Sequence, residues 1–152
     1  MAHTYVKFYA HIIFATHSRT PWLRDSTIRV RAHEHLRAVG SKYKIPVLSV
    51  GGWVDHVHLL IGLPKTQSLS DCVRILKSNS SRRVRDEGQR DFAWQVGFSA
   101  FSVSDSIRPK VTRYIERQEI HHGNIPAFDF LAELQMFARL HGDDDADVMQ
   151  VE

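Results

Sequence analysis

Cysteine is nearly absent: Cys72 is the single one among 152 residues. No internal disulfide can brace the fold, so its stability must come from a packed core, as suits a reducing compartment. Long apolar runs are missing too. No stretch approaches the length of a bilayer span, and the start, "MAHTYVKFYAHIIFATHSR", lacks the basic, apolar, small-residue order of a secretory signal. The expectation is a soluble, cytoplasmic protein without a membrane partner. Proline is sparse at five residues, and neither a repeat nor a low-complexity linker divides the chain, which argues against a second domain. With 43% hydrophobic and 24% charged residues, the length suits one domain with a real core. Residues 1–141 are expected to form it, and 142–152 an acidic, flexible tail.

Acids are scarce outside that tail. The last eleven residues, "GDDDADVMQVE", hold five acids and no Lys or Arg, which leaves 20 basic against 12 acidic residues on the body. Such an excess is compatible with a polyanionic partner such as nucleic acid. The densest basic stretch is "RILKSNSSRRVR", with Arg74, Lys77, Arg82, Arg83 and Arg85. A solvated helix face accounts for it equally well.

Periodicity supplies the fold class. Val6, Phe8, Ala10, Ile12 and Phe14 alternate with their neighbours, predicting a strand over about residues 5 to 16. Ile28, Ala32, His35, Leu36 and Val39 recur at helical spacing between a cap at Asp25 or Ser26 and Gly40. "IPVLSVGGWVDHVHLLIGLP" reads as two strands with Gly51-Gly52 as the tight turn. A second helix places Leu69, Val73, Leu76 and Val84 on one side and stops at Gly88. "WQVGFSAFSVS" predicts a fourth strand, followed by a helix capped at Asp105 or Ser106, tolerating Pro109 in its first turn and running to Gly123. A last helix, "FLAELQMFARLH", buries Leu131, Leu134 and Ala138. The order is that of an α+β, ferredoxin-like βαββαβ antiparallel sheet with additional C-terminal helices. Two helices cover one sheet face, and the other face needs covering or a partner.

Two patterns carry chemistry. In "DHVHLL" strand alternation sends His56 and His58 to one face and Val57 to the other. An isolated H-x-H is more often a pair of buried histidines satisfied by backbone or solvent. In "RYIERQEIHH" Tyr114 and Gln118 lie four apart on one helix face, by itself a weak pattern. Asp55 alternates away from the histidine pair, so a turn contact or solvent is its expected partner. Trp53 and Trp94 could stack on bases, but core packing is the preferred reading. His121 and His122 invite a metal reading without being assigned a catalytic role.

Taken together and in order, "HIIFATHSRTPWL", "GGWVDHVHLLIGLP", "LSDCVRILKSNSSR", "FAWQVGFSAFSVS" and "VTRYIERQEIHH" resemble the HUH single-tyrosine transposases of the insertion sequence 200/605 group and the related REP-associated tyrosine transposases. The resemblance covers most of residues 8 to 122. It implies the ferredoxin-like fold, with His56, His58 and Gln118 as ligands of a divalent metal, Mg or Mn, and Tyr114 as a nucleophile carried on a C-terminal helix. It further implies a DNA transposase that cleaves and rejoins single-stranded DNA at hairpin-bearing ends through a 5′-phosphotyrosine intermediate. Arg74, Lys77, Arg82 and Arg83 become candidate DNA contacts. Family members are dimers, so a homodimer with active sites shared between subunits is expected. Two departures stand out, Arg117 where the family has Asn in "YIENQ" and "GFSAFS" for "GYGAFS"; neither touches an implied ligand or the tyrosine. The alternative is a domesticated REP-type hairpin-binding or processing protein without transposition activity. A zinc hydrolase site of the H-x-H-x-D-H type is discounted, because Leu59 and Leu60 stand where its further ligands would be.

Overall fold

The computed structural model describes residues 3–124 and 129–141; the acidic tail expected over 142–152 lies outside the described residues. Four strands, β1 (Tyr9–Ala15), β2 (Val47–Gly52), β3 (His56–Gly62) and β4 (Ser99–Val103), form one antiparallel sheet in the order β2-β3-β1-β4. Helices α1 (Ser26–Lys42) and α2 (Leu69–Asp86) lie between them in sequence, and α3 (Arg108–Glu116), α4 (Gln118–Asn124) and α5 (Phe130–Leu140) follow β4. This is the ferredoxin-like arrangement with added C-terminal helices. Among the described residues no helix is long and apolar enough to cross a membrane.

Alternation along the central strands sorts the chain into layers. Ala10, Ile12 and Phe14 of β1 with Val57, Leu59 and Ile61 of β3 face α1 and α2, meeting Ala32, Leu36, Val39, Val73 and Leu76 in the main core. Each fully buried aliphatic or aromatic side chain there contributes about 1.5–3 kcal/mol. The intervening residues, among them Ile13, Ala15 and Phe101, look the other way, toward Phe130, Leu134 and Phe137 of α5. The uncovered face is thus closed by the chain's own last helices. His56 and His58 belong to this second layer, and both have zero exposure.

Helix ends follow side-chain chemistry. The Asp25 carboxylate accepts from the backbone N–H of Thr27 and Ile28 at the start of α1, and the Ser68 hydroxyl accepts from Asp71 N–H at the start of α2. Gly88, at φ 121°, follows α2 as expected. Helix α1 runs past Gly40 to Lys42, and the left-handed residue after it is Lys44. The expected caps at Asp105 and Ser106 are not used: Ile107 precedes α3 without a side-chain bond, and its N–H donates to Ser104 O.

Three further expectations need correction. The first strand starts at Tyr9, not near Tyr5, because its partners Gly62 and Val103 end there. The fourth is likewise short, and Trp94 contributes only an isolated bridge to Thr16. The single helix expected to reach Gly123 breaks at Arg117 (φ −104°, ψ 20°). Neither Pro nor Gly marks that break; the buried Gln118 side chain and an ion pair from Glu119 to Arg29 of α1 hold the second segment instead.

The hairpin is the most informative correction. Gly51 and Gly52 are not its turn. They end β2, paired with His58 and Val57, and the chain reverses through Trp53–Asp55, with Trp53 N–H donating to His56 O. Their role is close approach. A Cβ on Gly51 would overlap the Ile115 carbonyl oxygen, so only glycine lets α3 settle on the sheet beside His58. The next residue back along α3 is Tyr114. Gly51→Ala is therefore expected to destabilise the protein by about 3 kcal/mol or more, read as a lower urea midpoint.

Candidate metal and nucleophile site

Strand β3 delivers His56 and His58 to the second layer, where the residues around them fix which nitrogen faces inward. Asp55 Oδ1 lies 2.8 Å from His56 Nδ1, and His11 Nε2 of β1 lies 2.7 Å from His58 Nδ1. Both rings are thereby engaged through Nδ1 and turn Nε2 toward the centre of the layer. The expectation that Asp55 points away is overturned. The residue sits in the hairpin turn rather than in the strand, so alternation does not govern its side chain.

Helices α3 and α4 supply the other expected groups. Gln118 is buried, with Oε1 3.3 Å from His56 Nε2. The half-buried Tyr114 ring stands 5.9 Å from that of His58 and stacks on His121 at 4.6 Å. Four residues separated by up to 62 positions in sequence, His56, His58, Tyr114 and Gln118, meet in one chamber of a single chain. An exchange of helices between subunits is not needed to assemble it.

Two members of the chamber were not assigned to it from sequence. His122, one helical turn after Gln118, is buried, with Nε2 3.1 Å from Gln118 Oε1. Glu133 of α5 has zero exposure and lies at the centre. Its Oε1 is 2.9 Å from His56 Nε2, 2.7 Å from His58 Nε2 and 3.1 Å from His122 Nε2. Its Oε2 accepts from Gln118 Nε2 at 3.0 Å and from the Tyr114 hydroxyl. The signal was available: Phe130, Leu134 and Phe137 form the apolar stripe of α5, and an acid at 133 interrupts that stripe.

The electrostatics follow from burial and from these contacts. Burial would raise the Glu133 carboxyl, but the imidazoles of His58, His122 and His56 outweigh it and hold the group well below the usual carboxylate range. Burial also disfavours a charge on His56, yet Asp55 and Glu133 overcome it and lift the ring to about 9. For His58 burial prevails over Glu133, and its pKa falls. Burial and the neighbouring His58 push His11 far down. Burial first, then the Glu133 charge, push the Tyr114 hydroxyl upward.

The donor set fits a cation. Three imidazole nitrogens crowd one carboxylate oxygen, which has about two lone pairs to offer. The ligand atoms of His56, His122 and Glu133 all lie within 4.8 Å of one another, a spacing suited to groups around a shared ion. Imidazole with carboxylate and carboxamide oxygen is a set that manganese and its neighbours accept readily, and magnesium less so.

The basic cluster of α2 divides in two. Arg74 and Arg82 are exposed, the first 3.6 Å from Asp71 and the second donating to Asn79, and Arg83 is half-buried. Lys77 is not available as a free phosphate contact. Its ammonium donates to Gln95 O at 2.5 Å and Gly97 O at 2.7 Å and lies over the Phe14 ring, and burial lowers its pKa to about 8. Trp94 is a core residue whose Nε1–H donates to Ser80. Trp53 instead backs the site, with the His122 ring stacked against it at 6.3 Å and Arg29 at 5.3 Å over its ring.

Comparison with known proteins identifies the family. The sequence model described as "Transposase IS200 like" matches residues 4–118. The ISDra2 transposase TnpA of Deinococcus radiodurans is 28% identical over 90 residues, covering 55% of this chain; the chain spans 64% of the length of that curated relative. Among solved structures, one from D. radiodurans R1, provisionally assigned as a transposase, superposes with a TM-score of 0.61 at 25% identity, covering 78% of this chain and 96% of the other. A REP-associated tyrosine transposase bound to a REP hairpin shares the fold, with a TM-score of 0.59 at 16% identity over 83% of this chain and 75% of the other. With a match spanning most of its length and the architecture to go with it, the chain belongs to the IS200-like transposase family.

Proposed function

We propose that this transposase cleaves and rejoins single-stranded DNA at hairpin-bearing ends through a 5′-phosphotyrosine intermediate, with Tyr114 as nucleophile and His56, His58 and Gln118 holding a divalent metal, Mg or Mn. The observation that carries this reading is the meeting of the Tyr114 phenol with the inward nitrogens of His56 and His58 in one buried polar chamber. The hairpin substrate is supported by the REP hairpin bound to a structural neighbour. A cytoplasmic location is part of the same proposal.

Tyr114 Oη would attack the scissile phosphorus, its proton leaving along the hydrogen bond to Glu133 Oε2. The bond from phosphorus to the 3′ oxygen breaks, leaving the 5′ phosphate on tyrosine and a free 3′-hydroxyl once that oxygen takes up a proton. The phosphodiester energy is kept in the phosphotyrosine, so a later 3′-hydroxyl can reverse the step and no ATP is consumed. A cation held by His56, His58 and Gln118 would polarise the phosphate and favour the phenolate. Burial and the Glu133 charge disfavour the phenolate. Gln118 positions the phenol's immediate neighbourhood through its bond to Glu133. A homodimer of such chains would carry two self-sufficient sites unless α3 and α4 exchange between copies.

The exposed arginines of α2, Arg74 and Arg82, with the half-buried Arg83, are proposed to hold DNA phosphates, and Lys77 to staple the 95–97 segment to α2. Lys77→Ala is expected to cost about 1–3 kcal/mol by stranding two carbonyls, seen as a lower unfolding midpoint. The double variant Arg82→Ala, Arg83→Ala is expected to keep its stability and to flatten the salt dependence of single-strand binding by about 0.7 per lost phosphate contact. An unchanged slope removes these residues from the DNA surface.

Labelled hairpin single-stranded DNA incubated with the protein and Mn²⁺, then run on a denaturing gel, tests the chemistry. A covalent adduct is expected with the native chain and none with Tyr114→Phe, which still binds the hairpin. Tight binding without an adduct from either protein points instead to a domesticated hairpin-binding protein.

A further inference from the structure

Glu133 and His122 lie beyond residues 4–118, the part of the chain that matches the family, yet both reach the centre of the chamber. We propose that Glu133 and His122 are direct ligands of the cation beside His56 and His58, so that α5 contributes a negatively charged member to an otherwise neutral donor set. The inference rests on the cation reading given above and extends it to residues outside the family match.

Geometry carries it. Nδ1 of His56 is engaged by Asp55 and Nδ1 of His58 by His11, so the atom each ring has left for the centre is Nε2. Those two atoms and His122 Nε2 converge on Glu133 Oε1 at 2.9, 2.7 and 3.1 Å. Two ligand atoms at right angles, each about 2.1 Å from an ion, are about 3.0 Å apart. Contacts of that size are hydrogen-bond lengths and equally the edges between neighbouring ligands of one cation, and His56, His122 and Glu133 form the set whose ligand atoms all lie within 4.8 Å of one another.

The surroundings bury these two residues as they bury the histidine pair. His122 is buried against Trp53, over which the Arg29 guanidinium also lies, and Arg29 pairs with Glu119 of α4 at 2.7 Å. Glu133 is fixed by Phe130 and Leu134 on either side of it in the α5 stripe, both buried in the second cluster. A buried carboxylate is costly unless it meets positive charge, and a divalent ion provides that charge. Through Oε2 the same carboxylate accepts the Tyr114 hydroxyl, so Glu133 is also a positioning residue for the phenol.

The competing role is that of a plug, in which the carboxylate occupies the ion's place and must leave before a metal enters. The two roles predict opposite signs. Binding of Mn²⁺ to the full chain is measured by titration calorimetry and by the loss of the free-ion paramagnetic resonance signal, in the absence of DNA. Glu133→Ala and Glu133→Gln are each expected to weaken Mn²⁺ binding by more than about tenfold, since even partners outside the ligand sphere cost about 10–100-fold. His122→Ala is expected to weaken it as well. The glutamine variant keeps the side chain's size and its contacts to Tyr114 and Gln118, so it reports on charge if the alanine variant is poorly folded, which melting in chelator reveals. Unchanged or tighter binding by the Glu133 variants overturns the inference and leaves the cation site intact. No binding by the native chain, or binding that survives the double variant His56→Ala, His58→Ala, overturns the cation reading itself and this inference with it.

Discussion

The structure depends on one constraint: four imidazoles, a carboxamide and a carboxylate are buried beside the half-buried Tyr114 phenol between a sheet face and three short helices, where, His11 Nδ1 apart, they satisfy one another. Leaving any of them unpartnered would cost about 1–3 kcal/mol, and more for the carboxylate. Features that look unrelated serve this constraint. Gly51 has no side chain so that α3 can reach the sheet, and α3 and α4 break at Arg117 with Gln118 turned inward. Asp55 and His11 take up the outer nitrogens of the histidine pair.

The same constraint separates two halves of the molecule. Against α1 and α2 the sheet builds an apolar core that includes none of the site residues. Against α3, α4 and α5 it builds a thin layer in which a few apolar side chains ring a polar centre. Cation binding would act mainly on the second layer.

Much of this was legible in the sequence because it is periodic. Alternation in β1 and β3, the cap at Asp25 and the apolar stripe of α2 place the sheet and its two core helices, and the H-x-H spacing puts both rings on one face. What was not legible is long-range. Gly51-Gly52 carries a local turn signal, yet its job is set by a helix that follows more than fifty residues later. Lys77 resembles its basic neighbours in sequence, and only the path of the 95–97 backbone turns it into a staple. The break at Arg117 has no residue-type marker at all. Asp55 misled because alternation was carried one residue past the end of the strand. Glu133 was the exception, an acid inside an apolar stripe that the helical pattern itself exposed.

The most direct test of the central claim is anomalous diffraction near the manganese edge from crystals grown with Mn²⁺. The account predicts one strong peak in the chamber, within about 2.3 Å of Nε2 of both His56 and His58. A chamber without a peak, its histidines still hydrogen-bonded to Glu133, would contradict it.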